Sequence, residues 1–457
     1  MTAPDPSSTI CAPATAPGIG AISVIRVSGN EALNLVTAVF KGHRLNNVPS
    51  HTVHFGKIMD GEQVVDEVLA TVFVAPSSYT GEHVVEISCH GAPFIQQRIL
   101  ELLVRHGARM AQPGEFTLRA FLNKKLDLSQ AEAVADIIAA DSEAALQTAL
   151  KQMRGGYSAF IHRMREELTD FAALIELELD FSEEDVEFAN REKLLQLLDN
   201  VQQLITSLTA SFQYGNAIKN GIPAVIAGKP NAGKSTLLNG LLRENRAIVS
   251  NVEGTTRDTI EERLVIDGVV FRLIDTAGIR QAENSIEAAG IERTLEKLQQ
   301  ADVILYVFDV NTTSKEALAN ELSQLPREAQ VICIGNKSDL CDSSALDGWK
   351  QFTPKVLLIS ANNEEHINHV LLELKETVIT GTHAANEVVI TNLRHYQALV
   401  NAHEALERVR HSLQSHLSGE LVAFDIRKAI YHLGEITGEI TSDDLLSSIF
   451  SRFCIGK

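Results

Sequence analysis

The octapeptide Gly228-Lys229-Pro230-Asn231-Ala232-Gly233-Lys234-Ser235 constrains the fold of this chain more than any other feature. An apolar run at 224–227 precedes it and a helical stretch at 235–243 follows, the strand–loop–helix context that G-x-x-x-x-G-K-[ST] requires. Glycines let backbone N–H groups close around phosphate oxygens, and the helix N-terminus adds a favourable dipole. Gly228, Asn231, Ala232 and Gly233 supply that cradle; Lys234 is placed to reach the β- and γ-phosphates. The Ser235 hydroxyl is placed to ligate Mg²⁺, with Thr236 beside it. A chance Gly/Lys loop is the bland alternative, and the flanking strand and helix argue against it. Residues 222–379 then alternate strand and helix, the pattern of a mostly parallel sheet covered on both faces. The strands expected are 224–227, 262–266, 270–274, 303–310, 331–334 and 356–359.

Further pieces follow in order. Gly254-Thr255-Thr256-Arg257-Asp258 lies in a loop where Thr256 is placed to complete Mg²⁺ coordination when a γ-phosphate is present. Asp275-Thr276-Ala277-Gly278 ends a strand; Asp275 is placed to hold the water shell of the magnesium, and Gly278 offers a backbone N–H near the γ-phosphate. Asn336-Lys337-Ser338-Asp339 follows the apolar run 331–334. A carboxylate at Asp339 accepts from guanine N1–H and the 2-amino group, whereas adenine would leave that buried charge unpaired. Ser360-Ala361-Asn362 fits a backbone contact to guanine O6. Each motif alone is weak; in this order, each close to a strand, they select GTP over ATP.

Many small GTPases orient the attacking water with a Gln directly after Asp-x-x-Gly. Here that position is Ile279, which is apolar. Arg280, Glu283 and Glu287 follow as candidates to orient water or neutralise charge, or else they belong to a solvated loop.

The remainder of the chain has a different texture. Residues 1–119 mix β-branched runs (21–27, 51–59, 64–74, 83–88) with helical spacing at 30–40 and 93–106, an α+β domain. Long helices are expected over 120–217, clearest at 131–153, 158–179 and 191–212, with 213–221 as a linker. After the nucleotide domain, 218–379, the chain is helical again over 380–457, at 392–416, 421–437 and 441–450. That last piece is too short for a core of its own and is expected to pack on the earlier helices. The nucleotide domain is then an insertion into a helical domain.

A length of 457 residues fits about three domains at roughly 150 residues each. Five scattered cysteines without a CxxC pair argue for a reducing compartment and against zinc. Fifteen histidines show no paired ligand spacing, and no transition metal is assigned. No apolar run reaches the roughly 18–20 residues of a membrane span, and no signal peptide is recognised, so a soluble cytoplasmic protein is expected. The net charge of −19 argues against tight nucleic-acid binding through the whole surface. Any RNA contact needs a local basic patch or a partner.

The G-x-P-N-A-G-K-S loop, the G-T-T-R-D segment and D-T-A-G followed by Ile279-Arg280 resemble the TrmE/MnmE family of tRNA-modification GTPases. So do Tyr79-Thr80-Gly81-Glu82, Pro113-Gly114-Glu115-Phe116, the stretch 121–128 and, most specifically, the terminal Phe453-Cys454-Ile455-Gly456-Lys457. The resemblance implies a Ras-like P-loop G domain inserted into a helical domain and preceded by an N-terminal α+β dimerisation domain. It implies a homodimer that works with a flavin-dependent partner, as a heterotetramer, on C5 of the wobble uridine of certain tRNAs. It further implies a 5-formyl-tetrahydrofolate site at Arg26, Glu86, Lys125 and Lys457, which composition alone does not suggest. Potassium is implied as an activating ion between paired G domains, at positions Asn231, Ser250, Val252 and Thr255. Ser250 and Val252 would serve through backbone carbonyls. Glu287 stands where the family keeps its water-orienting carboxylate. Cys454 does not read as a lipidation site, with Lys at the last position and no polybasic run before it; it is expected to be either a buried, inert thiol or a catalytic one. Two rivals stand beside this reading: a ribosome-assembly GTPase, for which 380–457 lacks a GxxG loop or strongly basic tail, and a non-catalytic GTP-dependent switch.

Overall fold

The computed structural model describes residues 7–180, 191–245, 261–266, 268–274, 298–299, 301–327, 329–378, 389–415 and 417–457. The chain divides into two compact units, Met1–Ala135 with Gln152–Leu195 and Glu404–Lys457, and Asp136–Lys151 with Gln196–His403.

In the first unit, strands β1 (Ile10–Pro13), β2 (Ile22–Ser28), β3 (Phe40–Lys41), β4 (Thr52–Asp60), β5 (Gln63–Phe73), β6 (Val84–His90) and β7 (Arg109–Met110) form one sheet. Their order is β3-β4-β5-β6-β2-β1-β7, and β1–β7 is its one parallel pair among the described residues. Successive side chains alternate between faces. Ile25, Val27, Ile58, Ala70, Val72, Val85 and Ile87 therefore point one way and are buried under helices α1 (Ala32–Val39) and α2 (Pro93–Arg105). The opposite face carries the row Arg26, Glu86, Thr71, Val53 and the next row Val24, Ser88, Leu69, Phe55, as the register dictates. On that face Val53 and Phe55 remain 58% and 64% exposed. Strands β1, β3 and β7 were not expected from sequence; two of them have only two residues, too few for a period to register.

Helix α3 (Glu115–Leu122) starts on a buried carboxylate. Glu115 accepts from Arg109 at 2.5 and 3.0 Å, from Arg119 at 3.1 Å and from the Gln112 amide at 2.9 Å. Arg119, itself buried, continues to Glu82 at 3.1 Å. Burial alone would raise the Glu115 carboxyl, but the Arg109 hydrogen bond and the charges around it hold it below its ordinary value.

The expected single helix over 131–153 is two, α4 (Leu128–Ala139) and α5 (Glu143–Met153). Ser142 separates them, its hydroxyl accepting from the Ala145 amide as an N-cap side chain does. Helix α6 (Ser158–Asp180) follows, and then α7 (Arg191–Ala210). The expected linker 213–221 is instead helix α8 (Phe212–Asn220), whose Gly215 lies against the Ile390 backbone. Its Asn and Gln residues hid a helix held by tertiary contact, with Ala217 and Ile218 buried.

In the second unit, strands β8 (Ile222–Ala227), β9 (Glu261–Ile266), β10 (Val269–Ile274), β11 (Val303–Asp309), β12 (Gln330–Asn336) and β13 (Val356–Leu358) form a sheet ordered β13-β12-β11-β8-β10-β9. Among the described residues only the β9–β10 hairpin is antiparallel. Apolar residues line both faces of β8 and β11, as in a sheet covered twice. Among the described residues, helices α9 (Lys234–Asn245), α10 (Lys315–Leu322), α11 (Ser343–Lys350) and α12 (Glu364–Val378) accompany this sheet. The chain then returns through α13 (Leu393–Gln414), α14 (Gly419–Thr437) and α15 (Asp443–Phe450). As expected for the C-terminal piece, α14 packs along α6, where Arg165 donates to the Ile430 carbonyl at 3.2 Å. Phe450 and Phe453 pack with Leu128 and Ala131. In chain order the architecture is an N-terminal α+β domain followed by a helical domain whose sequence is interrupted by a Ras-like P-loop domain.

Candidate functional site

The loop after β8 is shaped by backbone crowding. Gly228 has φ +134°, and a Cβ there would lie 1.9 Å from the Val307 carbonyl oxygen. Gly233 has φ +97°, and a Cβ there would lie 2.0 Å from Asn336 Nδ2. No other residue fits either place. Between them Asn231 takes φ +63°, a conformation Asn tolerates better than most residues. Helix α9 begins directly after Gly233, whose carbonyl accepts from the Leu237 amide at 3.0 Å. The first-turn amides have no helical acceptor and form an anion seat. Lys234 Nζ donates to the Gly228 carbonyl at 2.6 Å and to that of Lys229 at 2.8 Å, while Ser235 and Thr236 are exposed. Lys229 pairs with Glu321 of α10, and Glu321 accepts from the Tyr306 hydroxyl at 2.5 Å. Burial, with Glu321 beside it, pushes the Tyr306 phenol up, so it stays a donor.

Buried Asn336 joins this loop to the other end of the site. Its Nδ2 donates to the Ala232 carbonyl at 2.8 Å, and its Oδ1 accepts from the Ala361 amide at 2.9 Å. Lys337, at φ +64°, donates to Asp309 Oδ2 at 2.7 Å. Burial would raise the Asp309 carboxyl, but Lys337 and Asn311 hold it below its ordinary value. Asp339 stands exposed on a short 3-10 turn, Ser338–Leu340, with the Ser338 amide bonded to the Ile359 carbonyl at 3.0 Å. Ser360 and Ala361 are buried and Asn362 is exposed. The Ser360 amide donates to His366 Nδ1 at 2.9 Å. The residues expected at 228–236, 336–339 and 360–362 are thus brought to one end of the sheet.

Ser250, Val252, Thr255, Thr256, Asp275, Thr276, Ala277, Gly278, Arg280, Glu283 and Glu287 lie outside the described residues. Asp309 and His366 were missed by the motif reading. Asp309 carried a signal, a carboxylate closing the apolar run 303–308; His366 carried none, since its role arises from a helix folding back over a loop.

A second cluster lies in the first unit. Arg26 pairs with Glu86 at 2.8 Å, donates to the Gly456 carbonyl at 3.1 Å, and sits 5.6 Å from the centroids of both Tyr79 and Phe116. The C-terminal tail is bound here by backbone: the Phe116 amide donates to the Lys457 carbonyl at 3.2 Å. Gly456, at φ +96°, lies against Pro13, with 2.0 Å from an added Cβ to the Pro13 carbonyl oxygen. Burial, and then the neighbouring Arg26 charge, lowers the Lys457 ammonium pKa, against Glu86 and Cys454. Lys125, exposed, donates instead to the Pro76 carbonyl at 3.1 Å. Arg26, Glu86 and Lys457 thus form one charged cluster beside the Tyr79 and Phe116 rings. Cys454 is exposed.

Among the described residues no group of His, Cys, Asp and Glu forms a metal cluster, and no helix is long and apolar enough to cross a membrane. Residues 9–125 match the family described as GTP-binding protein TrmE N-terminus, and residues 128–454 match the MnmE helical domain. The tRNA modification GTPase MnmE of Flavobacterium psychrophilum is 50% identical, over 98% of this chain and 99% of that protein. The protein of the same name from Cytophaga hutchinsonii is also 50% identical, over 99% of this chain and 98% of its own. Among solved structures, the G domain of the T. maritima FeoB iron transporter is 27% identical over 35% of this chain and 96% of its own, with a TM-score of 0.25. With motifs, fold and full-length likeness in agreement, this chain belongs to the MnmE/TrmE family of tRNA-modification GTPases.

Proposed function

We propose that this protein binds GTP between the Gly228–Thr236 loop, Asn336–Asp339 and Ser360–Asn362, and hydrolyses it in the service of tRNA modification. The reaction served is alteration of C5 of the wobble uridine, of the carboxymethylaminomethyl type, with a flavin-dependent partner. The observation that carries the nucleotide reading is the Asn336 bridge. One carboxamide fixes the phosphate loop to the base loop, and Asp339, three residues on, is exposed to take the guanine edge. Because the Ala361 amide is engaged with Asn336, guanine O6 is assigned to the exposed Asn362 amide. Lys234 neutralises the β- and γ-phosphates. Ser235 with Thr256 would hold Mg²⁺, which supplies charge neutralisation at the transferring phosphoryl group. Glu287 is assigned to orient the attacking water, and Arg280 to stabilise developing charge, in place of the glutamine replaced by Ile279. Potassium is assigned to Asn231, Ser250, Val252 and Thr255 between two G domains.

The Arg26–Glu86–Lys457 cluster is assigned to 5-formyl-tetrahydrofolate: two cations suit its carboxylates, and the Tyr79 and Phe116 rings suit its pterin or aryl group. When bound, such a group supplies one carbon at the formyl oxidation level. Lys125 is kept as a second cation at its edge. The exposed apolar face at Val53, Phe55 and Leu69 supports pairing of two N-terminal domains. Working boundaries are 1–119, 120–217, 218–379 and 380–457, and a cytoplasmic protein contacting tRNA directly or through its partner is the setting.

The test has two arms. Single-turnover assays on purified protein should show hydrolysis of GTP and not ATP; GTP bound without hydrolysis would favour a non-catalytic switch. Deleting the gene in the source organism should remove C5-modified wobble uridines in mass spectra of its tRNA, and an unchanged spectrum would sink the tRNA role.

A further inference from the structure

Helix α12 begins with its own cap: Asn363 Oδ1 accepts from the Glu365 amide at 2.9 Å, and the Asn363 carbonyl accepts from Ile367 at 3.2 Å. Helical side chains lean toward the N-terminus, so His366, in the first turn, reaches back over the segment that precedes the helix. There its Nδ1 lies 2.9 Å from the Ser360 amide nitrogen. A backbone N–H only donates, so Nδ1 must be the bare acceptor and the ring proton belongs on Nε2.

Ser360 is 7% exposed, and a backbone amide buried there needs a partner. Two successive amides of this loop are therefore held from outside it, Ser360 by His366 and Ala361 by Asn336. The turn closes on itself only through the Asn363 amide and the Ser360 carbonyl, at 2.9 Å. Asn336 holds only the 360–361 peptide, and one bond leaves that peptide free to swing about it. The second bond acts on the preceding peptide, 359–360, whose carbonyl accepts from the Ser338 amide at 3.0 Å and whose N–H is held by His366; with both peptides fixed, the direction in which the chain leaves toward the Asn362 amide is set.

We infer that His366 is a positioning residue for guanine recognition: its imidazole orients the 360–362 loop through the Ser360 amide. The inference rests on the reading that this loop meets the base. It requires no contact between His366 and the nucleotide.

The test compares four full-length proteins, wild type and His366→Ala, His366→Asn and His366→Gln, by titration with fluorescent GDP and with ADP. Asparagine places its Oδ1 the same number of bonds from the backbone as histidine Nδ1; glutamine does not. His366→Ala should weaken GDP binding by about 5- to 20-fold, the range expected for an unpaired buried amide. His366→Asn should recover to within about threefold of wild type, and His366→Gln should stay near the alanine variant. ADP, held by its phosphates, should bind all four alike. Equal GDP affinity in all four proteins, equal behaviour of the Asn and Gln variants, or a parallel fall in ADP binding would overturn the inference. A wild-type protein without preference for GDP over ADP would instead overturn the guanine reading itself.

Discussion

Asp339 shows how one side chain can choose a base. It stands exposed at the end of a segment whose preceding residues are spent on structure: Asn336 is buried between two loops, and Lys337 is drawn to Asp309. Guanine presents two donors to its carboxylate, and xanthine replaces one of them with a carbonyl. Asp339→Asn puts an amide donor opposite that carbonyl. The variant should lose GTP affinity by about 10²-fold and gain xanthosine triphosphate, since each mismatched polar contact in a closed site costs several kcal/mol. Equilibrium titration with both nucleotides measures it; unchanged GTP affinity would remove Asp339 from the base site. The sequence showed which residues belong here, because these motifs are local and their chemistry is in their side chains. It did not show that Ala361 has its amide occupied, or that His366 props the neighbouring one. Both depend on contacts between segments that only folding joins.

At the level of elements, α3 carries a charged cluster whose stability responds to acid. Glu115 is buried with its carboxylate on Arg109, Arg119 and the Gln112 amide. Its folded pKa lies below the ordinary 4.5. The contribution is therefore fully present above about pH 4.5 and is lost as pH falls through the lower folded value. Glu115→Gln should destabilise the protein near neutrality, and the gap to wild type should narrow on acidification below about pH 4.5. Urea unfolding at several pH values reads this directly; a gap independent of pH would mean the carboxylate's charge contributes nothing. The same scale explains where sequence reading stopped. Apolar alternation marked β2, β4, β5 and β6, because each has one buried face. It missed α8, whose helical state depends on Gly215 admitting the Ile390 carbonyl, and it ran α4 into α5, because only the three residues 140–142 part the two helices and Ala140 continues the apolar pattern.

Across the whole molecule the net charge of −19 bears on two associations. It makes broad electrostatic attraction to RNA unfavourable, so the flavin-dependent partner proposed above would have a physical role in bringing tRNA near. It also opposes pairing of two copies, so a G-domain pair needs a specific inducement. The phosphate loop offers one. Asn231 is exposed at φ +63° beside the phosphate seat, Gln is absent at Ile279, and no arginine is positioned among the described residues to meet charge on the β–γ bridging oxygen. A monovalent cation held by the Asn231 side-chain oxygen and carbonyls of the 250–255 segment would fill that place by preorganised electrostatics. On the proposed reading, pairing with a second G domain would complete such a cage. Ion radius is then the discriminating variable: potassium, rubidium and ammonium should raise turnover by about 10²-fold over sodium, the size of effect typical of one well-placed charge stabiliser. Turnover per molecule should also rise with protein concentration. Steady-state hydrolysis in each chloride at equal ionic strength, over a dilution series, tests both parts. Asn231→Ala should abolish the distinction between salts while leaving GDP affinity within a few fold, because the ion acts on the transition state rather than on binding. Equal rates in sodium and potassium, or a salt preference that survives Asn231→Ala, would remove the cation from the mechanism and return the task of charge neutralisation to Lys234 and Arg280.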